Sequence, residues 1–242
     1  MSQKSVSIVI PCYNEAGNIP LIIKRLADSF STRGDMPTEV VLVDNGSTDG
    51  SFEVMQACIN ESMAQDLIRP HRVEVNQGYG HGILSGLEVA NGDILAWTHA
   101  DMQTDPADIV AACELLLAQP DRDVMVKGKR RNRRLLEAFF TFGMQLVAWY
   151  ALRVRLDDIN AQPKVFYRDF YQRHILNKAP TDFSLDLYLL YMARKTGLRI
   201  LEVPVYFAKR QRGEAKGGGS FRTRIKLIRR TFDYIFALRR SL

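Results

Sequence analysis

The sequence lacks an uninterrupted apolar run long enough to cross a bilayer, which takes roughly 20 residues. Its longest mostly apolar segment, residues 135–152, is broken by Glu137, Thr141 and Gln145. A buried helix, or one lying in a membrane interface, is expected there instead of a span. The N-terminal stretch MSQKSVSIVIPCYNE has only a short apolar run and no small-residue cleavage site, so it does not read as a signal peptide. Cysteine is scarce too. Cys12, Cys58 and Cys113 are odd in number and lack metal-type spacing, which argues against a disulfide framework and points to reduced thiols in a cytosolic protein.

Negative charge is thin in the second half of the chain. Residues 1–120 hold 6 Lys/Arg against 16 Asp/Glu, whereas residues 121–242 hold 27 against 11. The basic half suits anionic partners such as phosphates, nucleic acid or a membrane surface, and the acidic half suits a metal ion. The remainder is ordinary for a folded protein: 46% apolar and 25% charged residues over 242 positions, enough for one large domain or two small ones.

Strand and helix signals alternate through the first half. Strands are expected at residues 6–11, 38–43, 72–75, 93–98 and 123–127, and helices at 18–30, 51–62, 82–90 and 105–118. Such alternation predicts an α/β fold with a doubly wound, mostly parallel sheet. Further on, a helix is expected over 184–196, a strand over 199–207, a Gly- and Lys/Arg-rich loop over 208–220 and a basic helix from Phe221 to Leu242. That last segment carries an apolar stripe of Phe221, Ile225, Ile228, Phe232 and Ile235, with Asp233 as its one acid. The expected organisation is a catalytic domain over 1–220 and a basic amphipathic C-terminal helix over 221–242.

Polar motifs stand where the strands end, which is where open α/β sheets bind ligands. Pro11-Cys12-Tyr13-Asn14-Glu15 offers a ring beside a nucleobase and a carboxylate for a ribose or base. Asp44-Asn45-Gly46-Ser47 projects an acid from a tight turn, although Asn-Gly is a turn former in its own right. Gly78, Gly80 and Gly82 make a loop to which a ligand could come close. The stretch "WTHADMQTDP" puts His99, Asp101 and Gln103 at alternate positions. A divalent cation that already carries a diphosphate needs only one or two protein ligands. Asp101 suits that role, Gln103 can add an amide oxygen, and His99 is either a ring-nitrogen ligand, which Mn²⁺ accepts better than Mg²⁺, or a simple hydrogen-bonding residue.

In their order and spacing, "SIVIPCYNEAGNI", "VVLVDNGSTDG", "NQGYGHGI" and "HADMQTDP" resemble the family 2 glycosyltransferases, whose GT-A fold is a Rossmann-like nucleotide-sugar-binding domain. The likeness to the dolichol- and polyprenyl-phosphate sugar synthases extends to "VKGKRR", "DINAQPKVF", "LRILEVPVYF" and "KRQRGEAKGG", nearly the whole chain. It implies that Pro11, Tyr13, Glu15, Leu42 and Asp44 hold the nucleoside and that Ala100 lies against the donor. It further implies that Asp101 and Gln103, with His99 beside them, face a Mg²⁺ or Mn²⁺ ion, and that Arg130, Arg210 and Lys216 hold phosphates. Asp101 and Arg130 are thereby candidate catalytic residues, together with Asp158, which matches the acid that opens "DINAQPKVF".

Two positions depart from the family pattern. His99 stands where the family usually has aspartate, and Asn160-Ala161-Gln162-Pro163-Lys164 replaces a Ser-Gly-Phe-Arg/Lys-like segment. The resemblance implies inverting, metal-dependent transfer of a sugar from a GDP- or UDP-sugar to a polyprenyl phosphate. A sugar-hydroxyl acceptor, with Asp158 or Asp157 as base, and a non-catalytic nucleotide-sugar-binding protein are the alternatives. Implied partners are the nucleotide sugar, the polyprenyl phosphate, an anionic membrane surface on the cytoplasmic face, and a membrane-anchoring protein or a second copy of the chain. Nucleic acid is not among them, because the aromatics of the basic half lie on apolar stripes and not among exposed cations. Packing of residues 135–152 and 221–242 on protein is the alternative to the membrane surface.

Overall fold

The computed structural model describes residues 4–31, 38–131, 147–208 and 221–240. Seven strands form a single sheet: β1 (Val6–Cys12), β2 (Thr38–Asn45), β3 (Ile68–Val73), β4 (Ile94–Trp97), β5 (Val124–Arg130), β6 (Lys164–Tyr167) and β7 (Arg199–Val205). Their order is β3-β2-β1-β4-β6-β5-β7. The run β3-β2-β1-β4 is parallel, β5 and β7 are parallel to each other, and β6 is antiparallel to both of its neighbours. The helices are α1 (Ile19–Ser31), α2 (Ser51–Glu61), α3 (Tyr79–Val89), α4 (Ala107–Leu117), α5 (Arg168–His174), α6 (Leu185–Lys195) and α7 (Phe221–Arg240). Residues 147–152 are helical as well. The expected doubly wound, mostly parallel α/β sheet is therefore present.

Alternation along the strands divides the apolar residues between two cores. Ile8, Ile10, Val40, Leu42, Ile94, Ala96, Val126 and Val165 face Ile22, Leu26, Met55, Ile109 and Leu116 of α1, α2 and α4. Val9, Val41, Val43, Leu95, Trp97, Met125 and Phe166 face Ile83 and Leu87 of α3, Phe170 of α5 and Leu189 of α6. Because both faces are covered, the central strands read as nearly continuous apolar runs.

The differences from the sequence reading have local causes. β3 occupies 68–73 and not 72–75, because its pairing with β2 runs from Val40↔Ile68 to Asn45↔Val73 and β2 ends there. β6 and α5 were not expected: four buried residues, Lys-Val-Phe-Tyr, show no alternation, and their leading lysine hides a strand that is buried throughout. α7 packs on the second core through Ile235, which is fully buried, with Phe232, Tyr234 and Leu238 beside it. Its Arg229, Arg230, Arg239 and Arg240 are exposed. Cys12 and Cys113 are buried free thiols, and Cys58 is half-buried and free. Among the described residues no helix is long and apolar enough to cross a membrane. Arg210, Lys216 and residues 132–146 lie outside the described residues.

α3 lies hard against the sheet because Gly86 offers no side chain. A Cβ there would fall 2.4 Å from Val9 Cγ1 and 2.7 Å from Val43 Cγ2. Overpacking of this kind typically costs about 1–3 kcal/mol. Gly86→Ala is expected to lower unfolding free energy by that amount in urea titrations, because both valines sit on central strands that cannot retreat.

Candidate functional site

The carboxyl ends of β1, β2 and β4 lie side by side, so their three motifs share one edge of the sheet. The first two lock into each other. Asn14 N–H donates to Ser47 Oγ at 2.9 Å, and Asn14 Oδ1 accepts from Thr48 N–H at 2.8 Å. Glu15 N–H donates to Ser51 Oγ at 2.9 Å, while Asp49 accepts from Ala16 N–H and from Ser51. Burial raises the Asp49 carboxyl, but the bonds from Ser51 and Ala16 outweigh it and leave the group below its ordinary value. The Asx and Ser residues that looked like turn chemistry are thus the rivets between two loops.

That lock frames Asp44. Its carboxylate is fully buried; Oδ1 accepts from Ser47 N–H at 3.1 Å. Oδ2 has no hydrogen-bond partner and lies 3.7 Å from Arg72 Nε, whose guanidinium rests over the Phe52 ring at 4.7 Å. A buried carboxylate oxygen left without a donor is costly, and a ligand N–H or O–H would satisfy it. Around it, Pro11 is half-buried, Tyr13 is exposed and Glu15 is buried, with Glu15 holding Asn18 at the start of α1. Leu42 and Ala100 are buried in the first core, so neither side chain is open to solvent.

The third motif follows β4. Gln103 N–H donates to Asp101 Oδ1 at 3.1 Å, and Gln103 is bonded to Ala208 through its own carbonyl at 2.8 Å and its amide Nε2 at 3.1 Å. Met102 between them has φ 56°. Among the described residues no group of three His, Cys, Asp or Glu side chains stands ready to hold a metal. A cation that arrives with a diphosphate takes only one or two protein ligands. Asp101 Oδ2, which no described residue bonds, fits that demand.

Sequence reading missed the network behind His99. Tyr79 Oη lies 2.9 Å from His99 Nε2 and donates to Asp186 Oδ2 at 3.2 Å. Gln162 Nε2 donates to Asp186 Oδ1 at 3.0 Å and to Tyr79 Oη at 3.4 Å. Lys164 is fully buried; its Nζ donates to Asp186 Oδ1 at 2.9 Å and to the carbonyls of Ile159 and Ala161 at 2.9 and 2.7 Å. Burial raises the Tyr79 phenol well above its usual range, and the Asp186 charge adds to this. Burial lowers the Lys164 ammonium, with Asp186 opposing. No sequence signal marked this cluster, because Lys164, which leads the apolar run Val165-Phe166-Tyr167, reads as exposed until the fold buries it. Gly78 and Gly80 serve it as well. They admit the protein's own backbone: a Cβ on Gly78 or Gly80 would meet Thr181 or Asp182 at 2.8 Å or less.

Arg130 and Asp158 form the remaining pair. Asp158 Oδ1 accepts from Arg130 Nε at 2.9 Å and Nη2 at 2.5 Å, and Oδ2 accepts from Arg130 N–H at 2.9 Å. The Arg130 guanidinium lies over the Phe207 ring at 5.5 Å. Asp158 is almost wholly buried, and Arg130 is 17% exposed through its side chain. Breaking a buried pair by removing one partner costs about 3–5 kcal/mol, because the other charge stays behind. Asp158→Ala is expected to lose close to 3 kcal/mol in chemical denaturation, and the Arg130→Ala/Asp158→Ala double variant less than the two single losses combined.

Comparison with known proteins fits this geometry. The sequence profile of Glycosyl transferase family 2 matches residues 7–179. An undecaprenyl-phosphate 4-deoxy-4-formamido-L-arabinose transferase of Yersinia enterocolitica is 27% identical over 97% of this chain and 68% of its own. Its namesake from Aeromonas hydrophila is 29% identical over 89% of this chain and 63% of its own. The mannosyltransferase PcManGT of Pyrobaculum calidifontis, solved with GDP-Man and Mn²⁺, superposes with a TM-score of 0.62 at 25% identity, covering 88% of this chain and 59% of that one. Glucosyl-3-phosphoglycerate synthase of Mycobacterium tuberculosis, solved with Mn²⁺, UDP and glucosyl-3-phosphoglycerate, shares the fold with a TM-score of 0.69 at 20% identity, over 98% of this chain and 80% of that one. With a profile match across most of its length, and strand-end motifs assembled at one edge of the sheet, the chain belongs to glycosyl transferase family 2.

Proposed function

We propose that the protein transfers a sugar from a UDP- or GDP-sugar to a polyprenyl phosphate, with inversion and with a divalent cation. The observation that carries the reading is Asp44 Oδ2, a buried acceptor without a donor at the sheet edge, flanked by Tyr13 and Glu15. In this reading the donor's base or ribose supplies the missing hydrogen bond. The two transferases from Yersinia and Aeromonas, named for undecaprenyl phosphate, support the acceptor class, and the GDP-Man and Mn²⁺ bound to PcManGT support the donor class.

An acceptor phosphate oxygen attacks the anomeric carbon as the bond from that carbon to the nucleotide's diphosphate breaks on the opposite face. The phosphate is already ionised near neutral pH, so a strong base is not required. The two carboxylates weighed as a base for a hydroxyl acceptor are both ion-paired, Asp158 with Arg130 and Asp157 with Lys129 at 3.6 Å. When bound, Mg²⁺ or Mn²⁺ would draw charge from the leaving diphosphate, held by Asp101 with His99 or Gln103 nearby. Arg130, fixed by Asp158, would supply a cation to the phosphates, and Arg210 and Lys216 would add to it.

We read residues 1–220 as the transferase unit and α7 as a basic extension at a membrane surface. Exposed Trp149 and Tyr150, each with an arginine over its ring at 5.8 Å, support that reading, as do the exposed arginines of α7. Aromatic and cationic side chains together suit the headgroup layer of an anionic bilayer. A membrane-anchoring protein or a second copy of the chain could add to this attachment.

The test offers the purified protein radiolabelled UDP- and GDP-sugars with polyprenyl phosphate in detergent, with Mg²⁺, Mn²⁺ or a chelator. Metal-dependent label in the organic phase is expected, and Asp101→Ala should abolish it while the protein stays folded. Label that persists in Asp101→Ala would remove the metal assignment; binding of the nucleotide sugar without turnover would favour a non-catalytic module. Because Ile235 is part of the core, charge reversal tests the membrane reading better than truncation. The Arg229→Glu/Arg230→Glu variant is expected to sediment less with vesicles containing anionic lipid, and unchanged sedimentation would count against a membrane role for α7.

A further inference from the structure

The two places where this chain departs from its family's pattern, His99 and the segment 160–164, meet in one hydrogen-bonded unit. β4 and β6 pair antiparallel with Trp97 opposite Lys164, so the chain leaving β4 runs beside the chain entering β6. The unit's protons can be placed. Lys164 spends its three donors on Ile159 O, Ala161 O and Asp186 Oδ1. Gln162 gives its two amide protons to Asp186 Oδ1 and Tyr79 Oη. Asp186 thus receives only donors, and the single phenolic proton of Tyr79 goes to Asp186 Oδ2. The Tyr79 oxygen then has only lone pairs left; the Gln162 amide and the Trp97 indole N–H approach them as donors, and His99 Nε2 faces the same oxygen. For that 2.9 Å contact to be a hydrogen bond, Nε2 must carry the ring's proton. In a neutral imidazole this leaves Nδ1 with its lone pair, and no described residue bonds it.

The Tyr79 ring is itself fixed. It stacks on Phe183 with centroids 4.9 Å apart and planes 7° from parallel, and it meets the His99 ring edge-on at 5.6 Å. Asp186 sits in the first turn of α6, where a carboxylate is favoured by the helix dipole. The high-lying phenol of Tyr79 keeps its proton across the neutral range. Asp101, two residues from His99, is close enough for its charge to act on Tyr79. Metal-binding histidines are typically oriented by such an outer partner on the second ring nitrogen.

We propose that Tyr79 and Asp186 are positioning residues that hold His99 as its Nε2–H tautomer and so aim the Nδ1 lone pair at the divalent cation of the donor. This rests on the nucleotide-sugar reading above for the cation, but not for the tautomer.

The test separates the two. Protein labelled with ¹⁵N-histidine, with His99 assigned through a His99→Asn variant, reports the tautomer without any ligand. A single Nε2–H form is expected, and Tyr79→Phe, which keeps the stack on Phe183, should give a mixture of tautomers. An Nδ1–H ring in the unaltered protein would overturn the proposal. Adding Mg²⁺ with UDP or with GDP should then shift Nδ1, and Tyr79→Phe should weaken Mn²⁺ binding by the nucleotide complex at least about tenfold, as loss of an outer-shell partner does. Nucleotide binding seen by calorimetry with Nδ1 unmoved would sink the proposal and leave the donor site standing. Absence of nucleotide binding would count against the donor reading, and the tautomer measured in the free protein would still decide the positioning role.

Discussion

A positive charge with no access to water organises the half of the sheet around β6. Lys164 begins β6, the strand that runs against both of its neighbours, and its side chain is fully buried. Leaving such a group unpaired would cost several kcal/mol. The fold answers with Asp186 and two backbone carbonyls, and in doing so it fixes the 159–162 segment, the start of α6 and the start of α3 relative to one another. Gly128 belongs to the same arrangement. Its N–H bonds Pro163 O at 2.8 Å, and a Cβ there would fall onto Gln162 O. β5 and the entry to β6 therefore touch backbone to backbone.

The carboxyl ends of β1 and β2 are built on another principle. They use short polar side chains that bond backbone N–H groups across two loops, Asn14 to Thr48 and Asp49 to Ala16, and bury one carboxylate between them. These bonds are individually modest, but together they leave Asp44 with one oxygen satisfied and one not. A site that holds its acceptor rigid and unsatisfied before the ligand arrives has less ordering to do on binding. Arg130 is prepared in the same way, its guanidinium set by Asp158 and by the Phe207 ring.

How much of this was legible in the sequence follows from the physics of each element. The parallel strands and their helices announce themselves through apolar runs and helical spacing, and the strand-end motifs through proline, glycine and acids at the carboxyl ends. The strand at 164–167 was not legible, because burial on both faces removes alternation and its lysine imitates a loop. β3 was displaced because its extent is set by where β2 stops, a non-local constraint. Tyr79 and Asp186 were invisible as partners: 107 positions separate them, and each looks ordinary in its own segment. His99 could be singled out but not understood, since its partner Tyr79 lies 20 positions earlier at the start of α3 and is held there by Asp186 from a distant helix.

The shared protons among Tyr79, His99, Gln162, Lys164 and Asp186 also bear on descent. Each donor in the cluster has one acceptor waiting for it, so an aspartate at position 99 would face Tyr79 with no proton to receive unless Asp186 gave it up. Lineages that exchange a histidine for an acid at this place are expected to change residues of the 160–164 segment or of α6 along with it. The cluster would then change as a block, and ancestral sequences reconstructed across the exchange would carry the record of which member moved first.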